Sequence, residues 1–269
     1  MPKLTRRHWL TFAAVLASTP LFGGRLQAED EADAAGAAAK GREFLVSLLD
    51  VELDLLPEFR GARVYWLYHD NYLAAKVLEQ SHPDIAQRIE RAISSHGVTK
   101  SGKIEILFGE AEKPLPFRQF ELTEVKRIGR NVLKTEVAGE EPLVGWEQYA
   151  DLLLLAAIAS AESQPEEAKR HFNSAMALWD GHGLADQATR AHGKYATYKL
   201  ALALIAVGKL KTKLAEHEAV LKKLLAQQTE DGGWITDYDE KGRRLGLANV
   251  ETTSMAILAL DQEAPASVK

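Results

Sequence analysis

The chain contains no cysteine among its 269 residues. This absence excludes disulfide bonds, thiolate zinc sites, cysteine-ligated iron–sulfur clusters and a cysteine nucleophile. The sequence also lacks an excess of basic residues: 38 acidic residues outnumber 33 lysines and arginines, which gives a formal net charge of -5. We therefore do not expect a nucleic-acid partner, which would require a basic face or stripe.

Several motifs of catalytic chemistry are missing as well. The sequence has no Gly-x-Ser-x-Gly nucleophile elbow, no phosphate-binding loop and no dinucleotide fingerprint. Its histidines include no His-Glu-x-x-His pair, which is the helical spacing of a zinc site. We therefore predict neither a cofactor nor a bound metal.

The first 28 residues have the layout of an export signal. Three basic residues precede an apolar run over residues 9–22, and small residues with Leu26-Gln27-Ala28 follow it. The run is short for a membrane-spanning helix, which needs about 20 residues. Arg6-Arg7, followed by an aromatic residue and a leucine, resembles a twin-arginine signal, and a general secretory signal is the alternative. We expect export to the periplasm or the medium, with a membrane tether only through an uncleaved signal.

Residues 29–269 are predicted to form one mostly helical domain. Apolar residues at helical spacing, prolines at helix starts and glycines at helix ends indicate helices over 32–49, 70–80, from Pro83, and over 146–161, 165–179, 185–207, 212–227 and 249–260. Between them, residues 99–139 are predicted to form a small antiparallel sheet, with strands at 103–108, 120–125 and 131–137. Residues 231–246 are predicted to be a polar loop.

The two ends of this domain resemble each other. Residues 44–48 and 71–78 form one helix–loop–helix unit, and residues 221–227 and 251–258 form a similar one. Such units must stack to bury their apolar faces, and similar ends suit a ring or an arc. The predicted fold class is therefore mostly α: an α/α toroid or an arc of helical hairpins with a small antiparallel β insertion.

The loop of the second unit carries a motif of known helical rings. Gln228, Gly232 and Trp234, preceded by Leu224, resemble the glutamine–tryptophan repeat of the terpenoid cyclase and protein prenyltransferase group. The resemblance implies an α/α toroid, an architecture that six-hairpin glycosidases and polysaccharide lyases share. The sequence departs from the group at Lys223, where an aromatic residue is expected, and it lacks the Asp-x-Asp-Asp motif of protonating cyclases. The resemblance therefore implies architecture and no particular activity.

In an α/α ring the inner helices direct their N-termini toward one end of the central cavity. The helix starts near Asp70 and Glu251 would then face each other, and two carboxyl groups across a cavity are the acid and the base of a glycosidase. Aromatic and polar neighbours would bind the sugar: Trp66, His69, Asn71, Tyr72, Trp234, Asp237 and Asn249. The alternative interpretation is structural, with Asp70 as an N-cap, Glu251 as a first-turn acid and the aromatic residues in the core.

These features predict an exported protein that binds or processes a carbohydrate at one end of a helical ring. The alternative is a non-catalytic binding module for a peptide or a glycan. A catalytic pair requires the two carboxyl groups roughly 5 to 10 Å apart across open space. A binding module requires only the aromatic and polar surface.

Overall fold

A computed structural model describes residues 23–98, 100, 103–111 and 114–263, with side chains described from residue 33. About half of the protein is helical and about a fifth is strand, which confirms the mostly α class. The predicted signal falls largely on residues 1–22, which lie outside the described residues, and stays a prediction. Its proposed processing site, Leu26-Gln27-Ala28, lies within the first described helix. No helix in the described part of the chain is both long and apolar enough to cross a membrane.

The helices are numbered in chain order. They are α1 (Gly23–Ser47), α2 (Leu73–Leu78), α3 (Pro83–Ser95), α4 (Ala150–Ser160), α5 (Pro165–Met176), α6 (Gln187–His192), α7 (Thr197–Leu210), α8 (His217–Ala226) and α9 (Val250–Glu263). A π-helical segment, Leu67–Tyr72, leads directly into α2. Short 3-10 helices span Ile104–Phe108 and Trp146–Gln148.

Buried helices alternate with amphipathic helices along the chain. Helices α2, α4, α7 and α9 are buried on nearly all sides. Leucine, isoleucine and alanine fill most of α2 and α4, whereas α9 also buries Thr252, Thr253 and Ser254. Helices α3, α5 and α8 each bury one stripe only and expose the rest. The buried helix α7 packs against α4 and α9, while α5 covers α4 and α8 covers α7. The first and last described helices, α1 and α9, also pack against each other.

Two small sheets lie between the helices. Strands β2 (Arg118–Ile128) and β3 (Asn131–Pro142) form an antiparallel hairpin, and β1 (Val64–Trp66) pairs with β3 in parallel, with Trp66 opposite Lys134. In the second sheet β4 (Tyr195–Ala196), β5 (Trp234–Tyr238) and β6 (Arg244–Asn249) are antiparallel. Strand β6 runs straight into α9, so this sheet fixes where α9 begins.

Several element predictions are confirmed and others are wrong. Helices do begin at Pro83 and Pro165, where the fixed φ of proline suits the first turn. The predicted strand at 103–108 is instead a 3-10 helix that buries Ile104, Ile106 and Leu107 together, which an alternating strand could not do. The sheet predicted as antiparallel is mixed, because β1, from outside 99–139, joins it in parallel.

Two further corrections lie in the C-terminal half. The helix predicted over 185–207 is interrupted, because Gly193 adopts a φ of 66° and ends α6 before β4 pairs with β5. The polar loop predicted over 231–246 contains the β5–β6 hairpin. Its strands escaped the prediction because they are short and contain Asp237 and Gly246, so tertiary packing decides their conformation.

Candidate functional site

A π-helical turn positions the first predicted acid, Asp70. The turn is held by Asn71, whose Nδ2 donates to the carbonyl oxygens of Leu56 (3.0 Å) and Trp66 (2.9 Å) and whose Oδ1 accepts from the Leu56 amide at 2.7 Å. Asn71 is fully buried, and these hydrogen bonds connect the turn to the backbone of Leu56 and Trp66. Asp70 is only 2% exposed, and its Oδ2 has no hydrogen-bond partner among the described residues. A π-helical turn often marks a functional position, because it costs regular helix geometry.

The start of α9 positions the second predicted acid, Glu251. Asn249 ends β6, and its Oδ1 accepts a hydrogen bond of 2.9 Å from the Thr252 amide, so Asn249 satisfies a free N–H group of the first turn of α9. The Val250 amide donates to the carbonyl oxygen of Glu58 at 3.0 Å, which ties the loop before β1 to the same helix start. The side chain of Glu251 remains 26% exposed.

These two acids line one cavity of about 250 Å³. Its wall comes from the loop before β1, from β1 and the π-helical turn, from both strands of the β2–β3 hairpin and from the β6–α9 junction. The lining residues are Glu58, Trp66, His69, Asp70, Leu122, Glu136, Asn249 and Glu251. We call this cavity the acidic pocket. Five of the nine predicted site residues therefore meet in one place: Trp66, His69, Asp70, Asn249 and Glu251.

Burial and like charges raise the pKa of three carboxyl groups of the acidic pocket. Burial, followed by the charges of Glu251 and Glu58, raises the pKa of Asp70 well above its usual range. Burial also raises the pKa of Glu251 to about 7, where the nearby Lys103 opposes the shift and Glu136 reinforces it. Burial likewise raises the pKa of Glu136. The pKa of Glu251, at about 7, lies close to neutral pH, so this group exchanges protons readily there.

His69 lies between two of these carboxylates. Its Nδ1 is 3.5 Å from Oε2 of Glu136, and its Nε2 is 3.9 Å from Oε1 of Glu251. These distances are longer than hydrogen bonds, and burial together with the charge of Lys103 lowers the pKa of His69 to about 3. His69 is therefore neutral at pH 7, so it leaves the carboxylates around it without a histidine counter-charge.

The other predicted site residues lie outside the acidic pocket. The hydroxyl of Tyr72 donates to Oε2 of Glu110 at 2.8 Å, and the buried Tyr72 ring packs against Phe108. Trp234 is completely buried, and its Nε1 donates to the carbonyl oxygen of Leu224 at 2.9 Å. Asp237 lines a second cavity of about 380 Å³, together with Tyr198 and Lys199.

Three residues of the acidic pocket carry no local sequence signal: Glu58, Leu122 and Glu136. Glu58 belongs to a loop, and the sequence around Glu136 predicts an ordinary solvent-facing strand position. The parallel pairing of β1 with β3 places this part of β3 beside the π-helical turn, and the Glu136 side chain becomes 88% buried as a result. Parallel pairing between segments about 70 residues apart leaves no trace in the local pattern.

The first turns of α4 and α7 add polar groups that are also buried. The hydroxyl of Tyr198 donates to Oδ2 of Asp151 at 2.7 Å, and burial, followed by the charges of Asp151 and Glu251, raises the pKa of Tyr198 well above its usual range. Lys199 forms a buried ion pair with Asp186, which also accepts from the Thr189 and Ala150 amides. The starts of α4, α7 and α9 are therefore linked electrostatically. Within the described ranges, no three histidine, aspartate or glutamate residues are placed to hold a metal ion.

No protein-family model, no curated protein and no solved structure matches this chain.

Proposed function

We propose that the helices form an α/α toroid closed by the contact between α1 and α9. The alternation of buried and amphipathic helices supports this arrangement, as do the contacts of α9 with α1, α2 and α7. The glutamine–tryptophan motif supports it as well. Nε2 of Gln228 donates to the carbonyl oxygens of Ala37 in α1 (2.8 Å) and Gly232 (2.9 Å), so the motif joins a late loop to the first helix.

We further propose that the protein is exported and that it binds and cleaves a carbohydrate in the acidic pocket. The half-buried ring of Trp66 and the 66% exposed side chain of Leu122 supply apolar surface on which a sugar ring can stack. Carboxylates and the Asn249 amide supply partners for hydroxyl groups. A concave site with apolar walls and a few convergent polar groups is typical of small-ligand binding.

In the proposed reaction Asp70 is the general acid and Glu251 the general base. Asp70 has the more buried carboxyl group and retains its proton, which it donates to the glycosidic oxygen as the bond from that oxygen to the anomeric carbon breaks. Glu251, with a pKa of about 7, takes a proton from a water molecule whose oxygen bonds to the anomeric carbon. The proton lost by Asp70 is balanced by the proton gained by Glu251.

One observation carries this proposal: two carboxyl groups with raised pKa values line one cavity, and one of them has an oxygen without a hydrogen-bond partner among the described residues. Structural caps would instead accept backbone N–H groups, as Asn249 and Asp186 do. Strongly perturbed pKa values in a cleft are a mark of functional sites. The second candidate is a binding module without turnover, which the nearly complete burial of Asp70 favours.

The test is a panel of oligosaccharides offered to the full chain, with products followed by mass spectrometry and binding by calorimetry. We expect wild-type cleavage, and a loss of about 100-fold or more in Asp70→Asn and in Glu251→Gln with binding retained. Glu218→Gln is the matched control, because Glu218 is an exposed acid in the first turn of α8. Binding without cleavage would replace the enzyme by the binding module, and the absence of any binding would overturn both.

A further inference from the structure

The acidic pocket has an unusual balance of charge. Glu58, Asp70, Glu136 and Glu251 all line it. Lys103 approaches Glu136 with its Nζ 3.8 Å from Oε2, while His69 is neutral at pH 7. Ionised carboxylates gathered in a partly buried cavity repel one another more strongly than in water, because the local dielectric is low. The acidic pocket therefore favours a ligand that brings positive charge.

Unsatisfied oxygens show where such a charge would be held. Oδ2 of Asp70, on a residue that is 98% buried, has no hydrogen-bond partner among the described residues, and neither has Oε2 of Glu136. A buried carboxyl oxygen without a donor, whether the group is protonated or ionised, costs free energy that a bound donor can recover. A group that donates several hydrogen bonds at once and carries a positive charge satisfies both requirements.

We propose that the acidic pocket recognises a protonated primary amine on a sugar, so that the ligand is an amino sugar with a free ammonium group. This inference rests on the carbohydrate function proposed above and names the class of sugar. An ammonium group has three donors and no acceptor, which complements carboxylate oxygens that lack donors. A metal ion fits less well, because the described histidine and acidic residues offer no three-ligand group.

The amine distinguishes this ligand from neutral sugars of the same shape. Glucosamine trimers, N-acetylglucosamine trimers and cellotriose share one linkage and differ in the group at carbon 2, which is an ammonium, an amide or a hydroxyl. Calorimetry on the full chain at pH 7 compares the three ligands. We expect the glucosamine trimer to bind at least about tenfold more tightly than either neutral trimer, and to lose this advantage as salt is added.

Glu136 provides the matched variant, because the proposed mechanism gives it no part in proton transfer. Glu136→Gln is expected to weaken binding of the glucosamine trimer about tenfold more than it weakens binding of cellotriose. Glu141→Gln removes an exposed carboxylate from the same strand, β3, and should change neither. Where Glu136→Gln fails to fold, as judged by circular dichroism, Glu58→Gln makes the same test from another wall of the pocket.

The outcomes separate the two proposals. A preference for the amine that Glu136→Gln abolishes supports the inference. Equal affinity for all three trimers overturns the inference and leaves the carbohydrate function standing. No binding of any trimer, while an amine without a sugar does bind, overturns the carbohydrate function. Binding of the glucosamine trimer that Glu136→Gln and Glu58→Gln both leave unchanged places the amine elsewhere and overturns the inference.

Discussion

At the scale of single residues, the burial of Glu251 opposes the stabilising effect that an ionised acid would have at this position of α9. As a first-turn acid of α9 it would be expected to stabilise the helix when ionised. Burial beside Glu136, Asp151 and Glu58 instead raises its pKa from 4.5 to about 7, so ionisation is disfavoured in the folded protein. The helix start is therefore less stable at neutral pH than its sequence suggests, and the proposed role of Glu251 as general base would account for the carboxyl group there.

Replacing this residue should remove a pH dependence of stability. Because the pKa of Glu251 is higher folded than unfolded, its stabilising contribution is present below about pH 4.5 and is lost as the pH rises to about 7. Glu251→Gln should match wild type near pH 4.5 and exceed its free energy of unfolding by about 2 to 3 kcal/mol at pH 8. Urea unfolding across this range measures the difference. Glu218→Gln is the control, and parallel curves for wild type and Glu251→Gln would refute the prediction.

At the scale of elements, the loop between α8 and β5 is shaped by its contact with α1. Gly232 adopts a φ of 94°, and a Cβ atom built there would lie 2.3 Å from the carbonyl oxygen of Lys40. At Gly233 a Cβ atom would meet the ring of Phe44 at 2.7 Å. The two glycines let the loop approach α1 closely enough for Gln228 to bond to Ala37. The glutamine–tryptophan motif therefore serves mainly to attach the loop after α8 to α1.

Adding a single methyl group at Gly232 should weaken the contact between this loop and α1. Gly232→Ala combines a disfavoured φ with a backbone clash, and we expect a loss of about 3 kcal/mol or more in the free energy of unfolding. Gly242→Ala is the control, because Gly242 has a φ of 75° with no atom within 4 Å of the added Cβ, and it should lose only about 1 kcal/mol. Equal losses in the two variants, measured by chemical denaturation, would show that the loop does not press on α1.

At this scale, elements decided by local chemistry could be predicted from the sequence, and contacts between distant segments could not. Proline-initiated helices and the glutamine–tryptophan loop were predictable, because local chemistry decides them. The pairing of Asp70 with Glu251 was predicted from the similarity between the two terminal helix–loop–helix units. The structure brings both residues to one cavity. Glu58 and Glu136 could not be predicted, because the β1–β3 pairing and the bridge between Phe59 and Asn249 are contacts between distant segments.

At the scale of the whole molecule, Arg42 connects three helices from opposite ends of the chain. Its Nε donates to the carbonyl oxygen of Val77 in α2 at 3.1 Å, and its Nη2 forms an ion pair with Asp261 of α9 at 2.5 Å. Arg42 itself belongs to α1, and its side chain is 19% exposed. The ends of the described chain are therefore held together by a partly buried charged group as well as by apolar packing.

Removing this connection should destabilise the protein as a whole. Arg42→Met keeps most of the apolar stem and deletes the charged hydrogen bonds, so we expect a loss of about 1.5 to 3 kcal/mol in the free energy of unfolding. Tryptophan fluorescence and far-ultraviolet circular dichroism should still report one shared transition. Arg91→Met, on the exposed side of α3, is the control and should change stability by less than about 0.5 kcal/mol. Two separate transitions in wild type would contradict a domain closed by α1 and α9.

The central claim is that Asp70 and Glu251 form an electrostatically coupled pair in one pocket, and carboxyl ¹³C nuclear magnetic resonance tests it most directly. The full chain, labelled at aspartate and glutamate, is titrated beside Asp70→Asn and Glu251→Gln, which assign the two signals. We predict that Glu251 titrates near pH 7, that Asp70 titrates well above its usual range, and that Glu251→Gln lowers the pKa of Asp70. Ordinary pKa values for both groups, or no effect of Glu251→Gln on Asp70, would contradict the account.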